Sequence, residues 1–362
     1  MVERVDVAVI GAGPAGIAFA RELVRRGGAP LVLEAGPCAG DSWRRMPRDM
    51  RLNSAWGASC LPGTFVAPWD YARRVPRERF HRHLVDVAAS AGFELRTEWP
   101  VRSIRPTSDG FEVRSRRGAV RARRVVNATG YFSNPHLPDT PGLETCTIPQ
   151  ITVPTYGSVD AVAERIGSGP RTIGIVGDRI TAGQLALELH DAGHTVWISN
   201  RAPISFAPPI GIQQLGFVAY YPYEAIRLRI GSYRQRSSAL RMAGGRIARL
   251  IRSEEVRTTG LIARFDREKV HMANGSVETA DAILWATGYR PALAHLPAEI
   301  ARDAETGLPR LDDTESRDLP GFHFLGLDAQ TDFTSRMLRG LRRDAVRLAR
   351  KLAAGTPSAG GL

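Results

Sequence analysis

Lysine is almost missing. Of 49 basic residues only Lys269 and Lys351 are lysines, and the arginines are scattered along all 362 positions. A nucleic-acid binder gathers its basic residues on one face or tail, so this even spread argues against a nucleic-acid partner. The 37 acidic residues leave a net charge of +12, which attracts anionic ligands without naming one. Cysteine is scarce as well: Cys38, Cys60 and Cys146 are odd in number and widely spaced, with no C-x-x-C. That excludes a disulfide-stapled scaffold and a dithiol redox centre, and it predicts a reducing, cytoplasmic setting. No apolar run approaches the ~18 residues of a membrane span, so no membrane partner is expected. H-E-x-x-H, G-x-S-x-G and Cys/His clusters at metal spacing are all lacking, so no metal is expected. His81 and His83 fall in an arginine-rich stretch and read as part of a solvated helix.

What remains is ordinary globular usage, with 43% hydrophobic and 24% charged residues and enough length for about two domains. Val5 to Ile10 is a β-branched run suited to a buried parallel strand, and it enters Gly11-Ala12-Gly13-Pro14-Ala15-Gly16 directly. Ile17, Ala20, Leu23 and Val24 then recur at helical spacing, and Leu31-Val32-Leu33 forms a second strand ending in Glu34. Each part has a physical task in holding a dinucleotide. Gly11 permits the tight turn, Gly13 lets backbone approach a pyrophosphate, and Gly16 lets helix and strand pack closely. The helix N-terminus offers N–H groups to phosphate oxygens, and Glu34 can accept from ribose hydroxyls.

The pattern repeats. Thr172 to Val176 runs into Gly177-Asp178-Arg179-Ile180-Thr181-Ala182 and a helix, followed by a strand ending in Ser199-Asn200-Arg201. Here the acid is gone and a base stands in its place, which suits the 2′-phosphate of NADP. Val125 to Tyr131 and Ile283 to Tyr289 both end in Ala-Thr-Gly-Tyr. The fold class is therefore α/β, with two Rossmann-like dinucleotide-binding domains, the second, NADP-type one inserted into the first. The expected division is 1–154 and 290–362 for the first domain and 155–289 for the NADP-binding-like domain, with 203–251 as a substrate or roof segment.

Gly40-Asp41-Ser42-Trp43, Arg51-Leu52-Asn53-Ser54, Pro138 through Pro141-Gly142-Leu143, and Phe322 through Gly326-Leu327-Asp328 complete the pattern. In these segments the chain resembles the two-dinucleotide-binding-domain flavoproteins and, within them, the class B flavin-dependent monooxygenases and their bacterial relatives. The resemblance implies FAD held by Gly11, Gly13, Pro14, Ala15, Gly16, Glu34, Ala35, Ser42, Trp43, Val101, Ala128, Thr129, Gly130, Gly326 and Asp328. It implies NADPH at Gly177, Arg179, Thr181, Asn200 and Arg201, with Asn53 as the catalytic residue holding a C4a-(hydro)peroxyflavin. The implied reaction consumes O₂ and oxygenates a small organic metabolite. Gln213, Tyr220 and Tyr221 are candidate substrate contacts, with local packing or a dimer contact as the equal alternative. The closing helix, with Met337, Leu341, Ala345, Leu348 and Leu352 along one stripe, has Thr334 and Ser335 as candidate caps.

Two departures keep other functions open. The class B fingerprint F-x-G-x-x-x-H-x-x-x-[FWY] falls on Cys146, Ile148, Thr152 and Tyr156, where only the aromatic survives. Arg179 replaces the glycine that lets backbone reach a pyrophosphate. Its side chain is expected to crowd the phosphates and weaken NADPH use, and a positive φ there would add strain; an outward-swung Arg179 would instead add a contact. An FAD-containing oxidase, a non-redox flavoenzyme and a non-enzymatic accessory flavoprotein are the alternatives.

Overall fold

Residues 2–208, 212, 216, 223, 226 and 241–354 are described by the structure, a computed structural model. The early chain supplies β1 (Glu3–Ile10), β2 (Pro30–Leu33), β3 (Glu94–Arg96), β4 (Val101–Thr107), β5 (Gly110–Ser115) and β6 (Gly118–Asn127). The middle supplies β7 (Gln150–Thr152), β8 (Thr172–Val176), β9 (Thr195–Ser199), a short pair β10 (Phe206–Ala207) and β11 (Met242–Ala243), and β12 (Val256–Gly260). It continues with β13 (Ile262–Asp266), β14 (Lys269–Met272), β15 (Val277–Thr279) and β16 (Ala282–Trp285). The last strands are β17 (Leu311–Asp312), β18 (Glu315–Ser316) and β19 (Phe322–Phe324). Helices are α1 (Pro14–Val24), α2 (Asp41–Arg44), α3 (Trp56–Ser59), α4 (Arg77–Ser90), α5 (Val153–Tyr156), α6 (Val159–Ile166), α7 (Ile180–Asp191), α8 (Arg246–Arg252) and α9 (Leu338–Ala354).

One five-strand parallel arrangement is used twice. In the first sheet β3-β2-β1-β6-β19 are all parallel, extended by β18 and β17 beyond β19 and by the β4–β5 hairpin on β6. The second sheet runs β12-β9-β8-β16-β7, also all parallel, with the antiparallel β13-β14-β15 standing apart from it. Parallel strands covered on both faces need unbroken apolar runs, and β2 and β16 are buried at every position. The second sheet takes in β7, a few residues ahead of the expected boundary at 154/155.

On one face of the first sheet α1 lies beside α9, where Ile17, Ala20 and Leu23 share a core with Leu341, Ala345, Leu348 and Leu352. Thr334 and Ser335 do not cap α9. The Ser335 hydroxyl accepts from the N–H groups of Thr331 and Asp332, and Asp332 accepts from Thr334 N–H, so the chain turns once more before the helix begins at Leu338. The α4 histidines, read as solvated, are half-buried. His83 lies against Trp56 at 5.0 Å, and its Nε2 accepts the Leu61 N–H at 3.0 Å.

The two Ala-Thr-Gly segments explain the two leading glycines. Gly11 has φ +101°, and a Cβ there would meet the Ala128 carbonyl oxygen at 2.8 Å; Gly177 has φ +142°, and its Cβ would meet the Ala286 oxygen at 2.6 Å. Each sheet therefore brings its glycine loop against its own Ala-Thr-Gly strand end so closely that only glycine fits. The connections are reciprocal. Thr129 donates to Ala292 O from the returning linker, while Thr287 donates to His136 O from the outgoing one. Arg290 N–H reaches Asn134 O at 3.0 Å, so the two linkers pair where they cross.

Candidate functional site

The carboxyl ends of the central strands of both sheets face one cavity of about 1170 Å³, the place where ligands lie in open α/β sheets. That exceeds the ~300–1,000 Å³ of a pocket for one drug-sized ligand. From the first sheet Gly11, Gly13, Pro14 and Ala15 of the loop line it, followed by Glu34 and Ala35 after β2, Ser42 and Trp43 of α2, and Val101. Ala128, Thr129 and Gly130 close one side, with Gly326 and Asp328 beyond β19. Gly16 does not line it. It sits behind the loop, where a Cβ would fall 2.0 Å from the Gly11 carbonyl oxygen.

The shape suits a pyrophosphate at one point. Gly13 is the N-cap of α1 in extended backbone (φ −79°, ψ −175°), without a side-chain cap, and a Cβ placed on it would meet nothing within 4 Å. The first-turn N–H groups thus open onto free space, which is what a phosphate anion needs. Glu34 accepts from Ala12 N–H at 2.7 Å and from Gly36 N–H at 2.8 Å. Burial pushes its pKa up, and those two N–H groups work against the rise. Among the described residues, seven arginines line the cavity (Arg45, Arg51, Arg179, Arg201, Arg241, Arg336, Arg339) against three carboxylates, Glu34, Asp178 and Asp328, with Arg45 also paired to Asp41 at 2.9 Å. Asp328 is offset by Arg336 at 3.1 Å, so the cavity favours polyanions.

The second loop departs from the first. Gly177, Arg179, Thr181 and Arg201 line the cavity, as does Asp178. Arg179 is the N-cap of α7 at φ −115°, ψ −169°, extended backbone open to any residue, so the strain expected at this position is absent. Its Nε lies 4.0 Å from Asp178 Oδ1, so part of its charge is offset within the cavity. Asn200 is not a lining residue. Its amide accepts from Gly260 N–H and donates to Ala202 O, a local brace after β9. Gln213, Tyr220 and Tyr221 lie outside the described residues.

Asn53 lines the cavity from the segment before α3. Several neighbours carry no sequence signature. His295 lines it from the returning linker, its Nε2 2.7 Å from Oδ1 of the buried Asn127, and burial holds it near a pKa of about 4. Met46 and Met50 also line it, and Met46, carried by the first domain, is buried in the core of the second. Trp43 packs against both cores and meets Phe132 edge-on at 5.5 Å. The one sequence signal for this strap is the spacing of Trp43, Met46 and Met50, three and four residues apart.

Cys38, Cys60 and Cys146 are free, and Cys60 is buried as a small hydrophobe. Among the described residues there is no group of metal-ligating side chains and no helix long and apolar enough to cross a membrane.

Comparison with known proteins agrees with this geometry. The chain is 24% identical over 387 residues to indole-3-pyruvate monooxygenase YUCCA1 of rice (Oryza sativa subsp. japonica), covering 95% of this chain and 90% of that protein. It is 24% identical to the oxidoreductase CzcO of Bacillus velezensis, covering 97% and 99%. Among solved structures, the flavin-containing monooxygenase from Stenotrophomonas maltophilia superposes with a TM-score of 0.77 at 22% identity, covering 98% and 99%, which shows a shared fold. The sequence profile of the pyridine nucleotide-disulphide oxidoreductases matches residues 8–208, more than half of the chain, and the protein belongs to that family.

Proposed function

We propose that the protein is an FAD-dependent oxidoreductase that takes hydride from NADPH and uses O₂ to oxygenate a small organic molecule. The balance is NADPH, a proton, O₂ and substrate going to NADP⁺, water and oxygenated substrate. One observation carries the reading: two glycine loops, each pressed against its own Ala-Thr-Gly strand end, face a single cavity, so two dinucleotides can meet there. Similarity over nearly the whole length to a named monooxygenase supports it.

The residues fit the cofactors. Gly11, Gly13 and the open N-terminus of α1 would hold the FAD pyrophosphate, with Glu34 toward the ribose. Arg201 would favour the 2′-phosphate of NADPH. When bound, the flavin supplies the redox and oxygen chemistry. The chain's part is to orient it, to offer the Asn53 amide beside it, and to exclude water with Trp43, Met46, Met50 and Phe132. On this reading residues 1–154 and 290–362 form the FAD domain around an inserted NADP domain, and the three free cysteines suit a reducing cytoplasm.

Asp178 favours a second reading, an oxidase or non-redox flavoenzyme with poor NADPH use, because a carboxylate beside the second loop repels a pyrophosphate. One experiment separates the two: purified protein is mixed with NADPH, then NADH, without oxygen, and the flavin absorbance is followed. We expect rapid bleaching by NADPH and at least tenfold slower bleaching by NADH. Slow bleaching by both, with a normal flavin spectrum, would instead select the second reading.

A further inference from the structure

Asn53 is held by both domains at one atom. Its Oδ1 accepts from Arg74 Nη2 at 3.0 Å, on the chain leading into α4, and from Gln184 Nε2 at 3.4 Å, in the second turn of α7. Two donors on the carbonyl oxygen fix which way the amide faces, because a flip would set its NH₂ against two other N–H donors. Nδ2 makes no hydrogen bond among the described residues, and Asn53 lines the cavity. The NH₂ is thus the group left to donate into it.

Arg74 is tied down by a second bond, Nε to Leu52 O at 2.6 Å, and it pairs with no carboxylate among the described residues. Both of its partners are neutral oxygens within the Leu52-Asn53 segment, so this half-buried guanidinium serves that segment. Gln184 differs in origin. It belongs to the helix whose first turn carries Arg179 and Thr181, so its bond to Asn53 exists only while the second domain sits against the first.

We propose that Arg74 and Gln184 are positioning residues that set the Asn53 amide with its NH₂ toward the flavin side of the cavity, and that docking of the inserted domain through Gln184 completes the setting. The inference rests on the proposed flavin chemistry. It makes Asn53 competent only when the domain that brings hydride is in place.

The test is a double-mutant cycle on the holoenzyme: N53A, Q184L and N53A/Q184L, read by the visible circular dichroism of the bound, oxidised flavin and by steady-state NADPH oxidation in air. Q184L and N53A are expected to change the flavin signal alike. Q184L should lower kcat about tenfold while KM for NADPH stays within twofold. In the N53A background, Q184L should change neither reading by more than twofold. R74K keeps an N–H donor and should keep most of the parent signal, whereas R74M, which keeps a long stem without a donor, should follow Q184L. Additive effects in the double variant, or a Q184L effect confined to KM, overturn this inference while leaving the functional reading standing. A purified chain that takes up no flavin overturns both.

Discussion

Gly13→Val is expected to fold and melt like the flavin-free parent yet emerge colourless, whereas Gly16→Val is expected not to fold. The two glycines belong to one motif, three residues apart, and face opposite ways. At Gly13 the backbone is extended and an added Cβ meets nothing within 4 Å, so valine needs no structural adjustment. Its methyl groups would occupy the space beside the α1 N-terminus where a pyrophosphate must come close. At Gly16 the Cβ would stand 2.0 Å from the Gly11 carbonyl oxygen, a backbone atom that cannot yield, and 3.3 Å from Cγ1 of the buried Val9. Overpacking of a core costs about 1–3 kcal/mol where side chains can yield and more where the obstacle is backbone, a large part of the ~5–15 kcal/mol that holds a domain together. Flavin-to-protein absorbance ratio and melting temperature together check the pair. A yellow Gly13→Val protein with parental flavin content would contradict this account of the loop.

Stability is expected to fall steeply as pH drops from about 6.5 toward 4. Burial holds His83, His295 and His323 near a pKa of about 4 in the folded chain, against about 6.5 when unfolded. Between those values the unfolded chain binds more protons than the folded one, so stability rises with pH. The contribution is complete above about pH 6.5 and is lost as pH falls toward 4. Each histidine contributes up to ~1.4 kcal/mol per pH unit within the window, with His83 contributing less because part of its ring meets solvent. The causes are separable. His83 Nε2 accepts a backbone N–H, so a proton there would set donor against donor. His295 is half-buried beside the buried Asn127, and burial outweighs the attraction of Glu315 at His323. Glu34 and Glu188, which burial pushes up, act in the opposite sense above about pH 4.3, so variants are needed to isolate the histidines. Urea unfolding of the parent and of His83→Asn and His295→Asn, at intervals from pH 7.5 to 4.5, should show a flatter pH dependence in each variant. Equal slopes in all three proteins would refute the assignment.

Local signals carried much of the fold. A buried strand, a glycine turn, a helix and a second strand all lie within thirty residues of one another, so their contacts are near in sequence and leave a spacing that can be read. The reason Ala-Thr-Gly occurs twice was not legible, because it lies in a tertiary approach: Gly11 to Ala128 O and Gly177 to Ala286 O join segments more than a hundred residues apart. His295 offered no motif, since its position depends on where the returning linker crosses the outgoing one. The strain expected at Arg179 is absent for a physical reason. The glycine it replaces is needed for closeness to a phosphate and not for a positive φ, and Gly13, its counterpart in the first loop, is itself at φ −79°. Asn200 follows the same lesson, for a polar residue after a nucleotide-binding strand can close its own turn instead of reaching the ligand.

Titration of flavin-free protein with FAD, followed by quenching of flavin fluorescence, tests the central claim most directly. One FAD per chain should bind to the parent, and the Gly13→Val protein, folded by circular dichroism, should bind at least tenfold more weakly. Failure of the folded parent to take up FAD, or equal uptake by both proteins, would contradict the placement of the cofactor against the first strand, loop and helix.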